Sequence, residues 1–258
     1  MRVITLCVDG IDNAIGTGLF DWLRTQDADV ICLQDMRRPE PDLAWEPEYQ
    51  LEGYFGYFFD SPDGTYCGVG IYTRQPPKAI MTGFGFASGI DMDGRYVQAD
   101  FEGISIGSLL APGATSEVQS LEDKIQFFDD LQAHLSKITR KRREYIICGN
   151  WNQVHREYDV ENFEANADSS GALPFERKWM TQLFNDIGYV DAFRKVNKDK
   201  DEFTWWPSGK LGEGDGWRID YQVISENLSG AVEYGVVYKT KSFGSHAPVI
   251  IDYDIELF

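Results

Sequence analysis

Short apolar segments alternate with turns rich in glycine, aspartate and proline along most of the chain, and this pattern is typical of β-strands. Few segments show the longer apolar periodicity of helices, so the pattern predicts a protein dominated by β-sheet. Strands are predicted at Arg2–Val8, Asp29–Leu33, Tyr54–Phe59, Gly68–Thr73, Tyr96–Phe101, Ile104–Leu110, Tyr145–Cys148, Phe203–Trp206, Ile219–Ile224, Ala231–Val237 and Val249–Tyr253.

Helices are predicted where apolar residues recur at helical spacing. The longest begins at Ser120, a favourable N-cap that is followed by acidic Glu122 in the first turn. Shorter helices are predicted at Asn13–Thr25 and Phe175–Ile187, and the second of these is followed by Gly188, which suits a helix C-terminus. Surface loops are predicted near Glu40–Glu48, Asn166–Leu173 and Ser208–Gly216.

The order of these elements predicts an α+β fold in which two sheets pack face to face, with helices outside. The chain has 258 residues and contains no internal repeat and no linker long enough to separate domains. This length is ample for one large hydrophobic core. A single domain spanning residues 1–258 is therefore predicted.

The charge balance restricts the partners that the protein can bind. The chain carries 42 acidic and 24 basic residues, for a net charge of −18. Proteins that bind nucleic acid unaided neutralise its phosphates with lysine and arginine. We therefore expect weak or no binding to free nucleic acid, although a local basic surface can still exist.

The sequence also predicts a cytoplasmic protein without a membrane span. No apolar run approaches the ~20 residues that a membrane helix needs. The N-terminus leads directly into the strand at Arg2, without the features of a signal peptide. The 4 cysteines lie far apart in apolar runs, which is typical of buried thiols rather than disulfides.

Polar residues gather at the ends of several predicted strands. The motifs are Val8-Asp9-Gly10, Cys32-Leu33-Gln34-Asp35, Cys148-Gly149-Asn150-Trp151-Asn152, Arg218-Ile219-Asp220-Tyr221 and Gly244-Ser245-His246-Ala247-Pro248. In this order and spacing they resemble the exonuclease III branch of the endonuclease/exonuclease/phosphatase family, over essentially the whole chain. The stretch Gly188–Arg194 is similar to the family's G-L-V-D-T-F-R. The resemblance implies a four-layer α/β sandwich of two packed, mainly antiparallel sheets flanked by helices, with a pocket where strand ends meet.

The chemistry that this resemblance implies is hydrolysis of a phosphodiester bond. In that chemistry Mg²⁺ polarises the phosphoryl oxygens and an aspartate aligns or deprotonates the attacking water. An aspartate–histidine pair stabilises the charge that develops during the reaction. Each of these roles can be transferred to the matching position of this chain.

The positions that match the metal side of the family's site are altered. Cys7 stands where the family has an asparagine, and a thiol offers no hard oxygen ligand. Asp35 stands where the family has a glutamate, so its carboxylate reaches roughly 1 Å less far. Leu110 lies near the position of a tyrosine beside the scissile phosphate, and leucine has no hydroxyl.

The positions that match the proton-transfer groups are altered as well. Asn150 replaces the first aspartate of the family's G-D-x-N and cannot accept a proton from water. Ser245 replaces the aspartate of S-D-H, which is expected to leave His246 without its carboxylate partner. Asn152 and Asp220 match the family pattern.

These departures predict a remnant pocket without catalytic residues. Loss of the aspartate that holds a catalytic histidine can cost about 10⁴ in rate, and loss of a general base about 10²–10⁴. No metal or other cofactor is expected, and Asp35 is the only plausible metal ligand. The remnant pocket is predicted to contain Cys7, Asp35, Leu110, Asn150, Asn152, Asp220, Ser245 and His246.

Other segments narrow the resemblance to the catabolite repression control (Crc) subfamily, which is catalytically inactive. These segments are residues 135–146, 203–207, 216–223 and 245–254, whereas Gly149–Asn152 stays nearer to the nuclease pattern. The resemblance implies a post-transcriptional regulator of carbon catabolite repression. It would repress translation together with Hfq at A-rich sites of messenger RNA.

A basic cluster near the end of the long helix is the predicted surface for this assembly. It consists of Lys137, Arg140, Lys141, Arg142 and Arg143. Cations at a helix C-terminus also stabilise the helix dipole, by about 0.3–1 kcal/mol each, but four in a row exceed that need. The expected partner is Hfq bound to A-rich messenger RNA.

Two alternative functions remain open. One is an active Mg²⁺-dependent enzyme of the exodeoxyribonuclease III or apurinic endonuclease type. The other is a hydrolase for a different phosphoester. Both enzymes need catalytic groups that Cys7, Asn150 and Ser245 do not supply. A neighbouring residue such as Asp9 would have to provide those groups instead.

Overall fold

The computed structural model describes residues 1–114 and 120–258, which form two six-stranded β-sheets with helices on their outer faces. The strands are β1 Arg2–Cys7, β2 Val30–Gln34, β3 Phe55–Phe59, β4 Val69–Thr73, β5 Ala79–Thr82, β6 Tyr96–Asp100, β7 Ile104–Leu110, β8 Glu144–Asn150, β9 Tyr189–Asp191, β10 Asp220–Ser225, β11 Val232–Val237 and β12 Val249–Tyr253. The helices are α1 Ile11–Gly16, α2 Leu19–Arg24, α3 Glu40–Trp45, α4 Leu121–Ile138, α5 Phe163–Asn166, α6 Pro174–Gln182 and α7 Ala192–Val196.

Both sheets follow the same plan, in which a central parallel pair is flanked by antiparallel strands. The first sheet has the order β11-β12-β1-β2-β4-β3, and β1 and β2 are its parallel pair. The second has the order β5-β6-β7-β8-β10-β9, and β7 and β8 are its parallel pair. The predicted sandwich of two mainly antiparallel sheets flanked by helices is confirmed.

The sheets pack through a hydrophobic core that both of them supply. Val3 and Cys32 from the first sheet and Ile106 and Ile146 from the second are fully buried in one cluster. Separate clusters join α1 and α2 to the outer face of the first sheet, and α4 and α6 to the outer face of the second. The result is a four-layer arrangement, with one layer of helices on each side.

The central parallel pairs determine where the polar motifs meet. Strands β1 and β2 pack against β8 and β7 of the other sheet, and Gln34 donates a hydrogen bond of 2.8 Å to Ser108 between them. Parallel strands end at the same edge of their sheet. The residues at these ends, Cys7, Leu110 and Asn150, are therefore brought to one edge of the sandwich.

Local structure differs from the sequence prediction at several places. The predicted helix Asn13–Thr25 is divided at Gly18, whose positive φ of 87° separates α1 from α2. The predicted loop Glu40–Glu48 contains α3, because Leu43 is buried and anchors one face of that helix. The predicted strand Phe203–Trp206 is irregular and makes only isolated bridges.

No helix in the described part of the chain has the length and apolar character required to cross a membrane.

A buried ion pair joins the helical layer to the segment that follows β8. Lys124 on α4 and Glu176 on α6 lie 2.5 Å apart (Nζ to Oε1), and each side chain is 1% exposed. Lys124 also donates to the carbonyl of Asn152, at 2.7 Å. Glu176 accepts hydrogen bonds from the backbone N–H groups of Gly171 and Leu173. Burial lowers the pKa of Lys124, and the Glu176 carboxylate opposes this effect.

We expect Lys124→Met to lower the free energy of unfolding by about 3–5 kcal/mol, because it leaves the Glu176 carboxylate buried without a counterion. Urea denaturation followed by circular dichroism would measure this loss. Lys78→Met is the control, since its ion pair with Glu102 is exposed and should contribute at most about 1 kcal/mol. Equal losses of unfolding free energy in the two variants would contradict the assignment of Lys124 as the counterion of the buried Glu176 carboxylate.

Candidate active site

A cavity of about 590 Å³ opens at the edge of the sandwich where β1, β2, β7 and β8 end. Of the predicted pocket residues, most line this cavity directly, and Asp220 and Ser245 contact residues in its wall. The structure therefore brings the predicted set together. The lining members of that set are Cys7, Asp35, Leu110, Asn150, Asn152 and His246.

His246 and Asp220 form a buried pair at the cavity wall. Nδ1 of His246 lies 2.8 Å from Oδ2 of Asp220, and the two residues are 3% and 2% exposed. Thr204 donates a second hydrogen bond of 2.6 Å to the same carboxylate oxygen. The prediction that Ser245 leaves His246 without a carboxylate partner is wrong, because the partner comes from the start of β10.

This pairing determines the charge of the imidazole. Burial alone would lower the pKa of His246, but the Asp220 carboxylate raises it well above its ordinary value of 6.5. His246 is therefore protonated at neutral pH and can donate a hydrogen bond to a negatively charged group. Burial raises the pKa of the Cys7 thiol to about 12, so the thiol is protonated beside it.

Asp9 is a further carboxylate of the cavity, and it was not among the residues predicted for the pocket. Its carboxylate accepts hydrogen bonds from the backbone N–H of Ser245, at 2.8 Å, and from the hydroxyl of the same residue. Burial alone would raise the pKa of Asp9, but His246, Ser245 and Arg37 lower it below 3.8. Asp9 is therefore ionised. The sequence signal that could have identified Asp9 was its position in the motif Val8-Asp9-Gly10, immediately after β1.

The turn after β8 is fixed by its own amides. Asn150 accepts a hydrogen bond of 2.8 Å from the backbone N–H of Asn152, and its amide nitrogen lies 3.8 Å from Sγ of Cys7. The Asn152 side chain donates to the carbonyl of Ala111, at 2.7 Å. The observed partners of Asn152 are therefore Asn150 and Ala111, which both line the cavity.

Arg218 anchors the segment that carries Asp220. Its guanidinium is almost fully buried and lies 2.8 Å from Asp159 and 2.6 Å from Asp191. Arg194 contacts the same Asp159 carboxylate at 2.9 Å. These ion pairs explain the motif around residues 188–194, because its acidic and basic members hold the start of β10 in place. The role of this motif is therefore structural.

The donor atoms of the cavity differ from the all-oxygen set that suits Mg²⁺, the ion implied by the family resemblance. Mg²⁺ prefers carboxylate and other hard oxygen ligands. Asp9 and Asp35 both line the cavity, but the Asp35 carboxylate is already paired with Arg37, at 2.6 Å, and Cys7 offers only sulfur.

A different set of ligand-type atoms lies nearby, supplied by Cys7, Asp9 and His246, and these atoms are within 4.8 Å of one another. The prediction that Asp35 is the only plausible ligand overlooked this set, and the expected absence of a metal is not supported.

The predicted basic cluster lies at the other end of β8 from the cavity. Lys137, Arg140, Lys141 and Arg142 are exposed, whereas Arg143 is partly buried. Arg143 donates to the carbonyls at positions 101 and 104, both at the turn between β6 and β7. Arg143 is thus a structural residue, and the contribution of the other four to a partner surface stays a prediction.

The most similar curated relatives include nucleases from distant organisms. The exodeoxyribonuclease of Bacillus subtilis is 28% identical over 253 residues, which cover 96% of this chain and 98% of that protein. The DNA-(apurinic or apyrimidinic site) endonuclease of Dictyostelium discoideum is 29% identical over 261 residues, covering 99% of this chain and 71% of that protein.

Solved structures support the same fold. An AP endonuclease from Archaeoglobus fulgidus matches with a TM-score of 0.86 and 21% sequence identity. The match covers 99% of this chain and 100% of that chain. At this identity the likeness concerns the fold alone.

The relatives contradict the prediction of a catalytically inactive regulator of catabolite repression that acts with Hfq. Both relatives described above are named as nucleases, and neither name refers to regulation of translation. The physical error lies in the His246 assignment, since the carboxylate that was thought to be lost is present as Asp220.

The family assignment agrees with the fold, the motifs and these relatives. The model of the endonuclease/exonuclease/phosphatase family matches residues 11–240. This match includes the strand ends at Asp35, Asn150 and Asp220, which contribute to the cavity and its wall. The chain belongs to the endonuclease/exonuclease/phosphatase family.

Proposed function

We propose that this protein is an enzyme that hydrolyses phosphodiester bonds of DNA, as an exodeoxyribonuclease or apurinic endonuclease, in the cytoplasm. The observation that carries the proposal is the buried pair of His246 and Asp220, whose imidazole faces a cavity with the ionised Asp9. The nuclease relatives support the same reaction class.

His246 is suited to stabilise the negative charge that develops on a phosphoryl oxygen. Its orientation is fixed by Asp220, and its raised pKa keeps it protonated at neutral pH. A positioned donor in a site with little water stabilises a developing charge more than bulk solvent does. Asp220 acts as the positioning residue, because it holds the ring in one orientation.

Asp9 is suited to orient the attacking water. It is ionised and held by two hydrogen bonds from Ser245, so its free lone pairs can accept a hydrogen bond from water. Arg95 also lines the cavity and, with the protonated His246, supplies positive charge for a phosphate, whereas Arg37 is paired with Asp35. This local charge offsets the net charge of −18 where the substrate would enter.

We expect the purified protein to cleave duplex DNA that carries an abasic site, or to shorten recessed 3′ ends, when assayed with Mg²⁺ or Mn²⁺. Because loss of an acid–base group costs about 10²–10⁴ in rate, His246→Ala should reduce cleavage by at least 100-fold. Gel assays of end-labelled DNA would measure both rates.

The control for that assay is His155→Ala. His155 lies outside the cavity and contacts Thr181, so its replacement should leave cleavage unchanged. Circular dichroism would verify that each variant folds. Cleavage that persists at the wild-type rate in His246→Ala would refute the proposed role.

We expect Asn150→Asp to raise the cleavage rate by about tenfold or more. The substitution adds a carboxylate at the cavity that can accept a proton from water, and a general base typically contributes about 10²–10⁴. Single-turnover assays would measure the change, with Asn197→Asp outside the cavity as the control. A reduced or unchanged rate in Asn150→Asp would argue against water activation at this position.

We expect Asp220→Asn to lower the pKa of His246 toward or below its ordinary value. The Asp220 carboxylate raises this pKa and burial lowers it, so removing the carboxylate leaves burial to dominate. Titration of the imidazole ring signals by NMR would measure the shift. The pH range in which His246 is charged, and with it the alkaline limit of cleavage, should move to lower pH. An unchanged titration would show that Asp220 does not control the charge.

A further inference from the structure

Three side chains of different elements converge at the inner wall of the cavity. Cys7 ends β1, Asp9 follows it, and His246 precedes β12. Their ligand-type atoms, a sulfur, a carboxylate oxygen and a ring nitrogen, all lie within 4.8 Å of one another. We propose that these three residues bind a thiophilic divalent ion of the Zn²⁺ class.

The spacing is close to that of a tetrahedral ion site. Zn²⁺ binds sulfur at about 2.3 Å and nitrogen or oxygen at about 2.0–2.2 Å, which places neighbouring ligands about 3.3–3.6 Å apart. Atoms within 4.8 Å of one another therefore need only small side-chain rotations to share one ion. Nδ1 of His246 is occupied by Asp220, and the ring also makes a hydrogen bond with the Cys7 thiol. An ion would replace the proton of that contact and bind Nε2 and Sγ.

Each proposed ligand is already held from behind by a hydrogen bond. His246 contacts the Asp220 carboxylate at 2.8 Å, and Asp9 accepts from the backbone N–H of Ser245 at the same distance. The amide nitrogen of Asn150 lies 3.8 Å from Sγ of Cys7. Metal-binding histidines characteristically donate their second nitrogen to a carboxylate or carbonyl, which fixes the ring orientation. The His246–Asp220 pair has this arrangement.

The chemistry of the donors selects the class of ion. A thiolate and an imidazole prefer Zn²⁺ and related transition metals, whereas Mg²⁺ prefers hard oxygen ligands. The remaining carboxylate nearby, Asp35, is paired with Arg37 at 2.6 Å and is therefore less available for Mg²⁺. A sulfur ligand at Cys7 is the feature that distinguishes this site from one made of oxygen donors.

The surroundings leave one coordination position open. Three protein ligands and a fourth position accessible to small molecules are typical of catalytic rather than structural zinc sites. The proposed ligands line the cavity of about 590 Å³, so the open position would face its interior. Binding of the ion requires that Cys7 and His246 lose their protons, so the ion-bound site and the protonated imidazole of the proposed hydrolysis are alternative states of one cavity. The ion site does not depend on DNA hydrolysis, because ion binding can be measured without any nucleic acid.

Titration of the metal-free protein with Co²⁺ tests the proposal directly. Cobalt substitutes for Zn²⁺ and gives a thiolate-to-metal charge-transfer absorption only when sulfur is a ligand. We expect one equivalent of Co²⁺ to produce this absorption in the wild type, and Zn²⁺ to displace it. The absorption should be absent in Cys7→Ser and lost or greatly weakened in His246→Ala.

Cys32→Ala is the matched control, since Cys32 is also a buried thiol but lies in the core between the sheets. This variant should keep the absorption. Absence of the absorption in the wild type, its persistence in Cys7→Ser, or its loss in Cys32→Ala would each overturn the proposal. Circular dichroism of the metal-free variants would show that loss of the signal does not reflect unfolding.

Calorimetry with Zn²⁺ and Mg²⁺ provides a second measurement. Cys7→Asn replaces sulfur by an amide and should weaken Zn²⁺ binding at least tenfold relative to Mg²⁺. Asp220→Asn keeps all three ligands but removes the support of His246, and should weaken Zn²⁺ binding about 10–100-fold. Equal Zn²⁺ affinity in wild type and Cys7→Asn would overturn the assignment of the sulfur ligand. A protein that binds Co²⁺ through Cys7 but, in the absence of Co²⁺ and Zn²⁺, cleaves no DNA with Mg²⁺ or Mn²⁺ would refute the proposed hydrolysis and leave the ion site standing.

Discussion

The meeting of two parallel strand pairs at one edge of the sandwich is the constraint on which the cavity depends. Among the described residues, each sheet has one parallel pair at its centre, and the two pairs pack against each other. Because parallel strands end at the same edge, residues distant in sequence become neighbours there. Cys7, Leu110 and Asn150 each end one of these strands. A shift of one residue in the register of any pair would turn its terminal side chain to the opposite face of the sheet.

Much of the fold and the membership of the cavity could be predicted from the sequence. Strand periodicity and turn residues are local signals, so most of the strands were located correctly, and the long helix begins after Ser120 as expected. The polar motifs identified the cavity because they lie at strand ends. The helix at Glu40–Trp45 could not be predicted in this way, since its stability comes from burying Leu43.

The chemistry within the cavity was much less predictable. Matching by position placed the partner of His246 at residue 245, whereas the structure supplies it from Asp220. That contact joins residues 26 positions apart and depends on Thr204 as well. A linear motif identifies which residue types are present but not which pairs of atoms meet. Asp9 was named from the sequence only as a substitute for lost groups, because its contact with Ser245 joins residues 236 positions apart.

The buried ammonium of Lys124 has a consequence for how the molecule loses activity under stress. It connects two helices of the outer layer with the carbonyl of Asn152, which belongs to the turn at the cavity. Local opening of a helical layer generally requires less free energy than global unfolding. A transient detachment of this layer would therefore release the turn while both sheets stay intact. Heat or denaturant should then inactivate the protein at milder conditions than those that melt its β-structure.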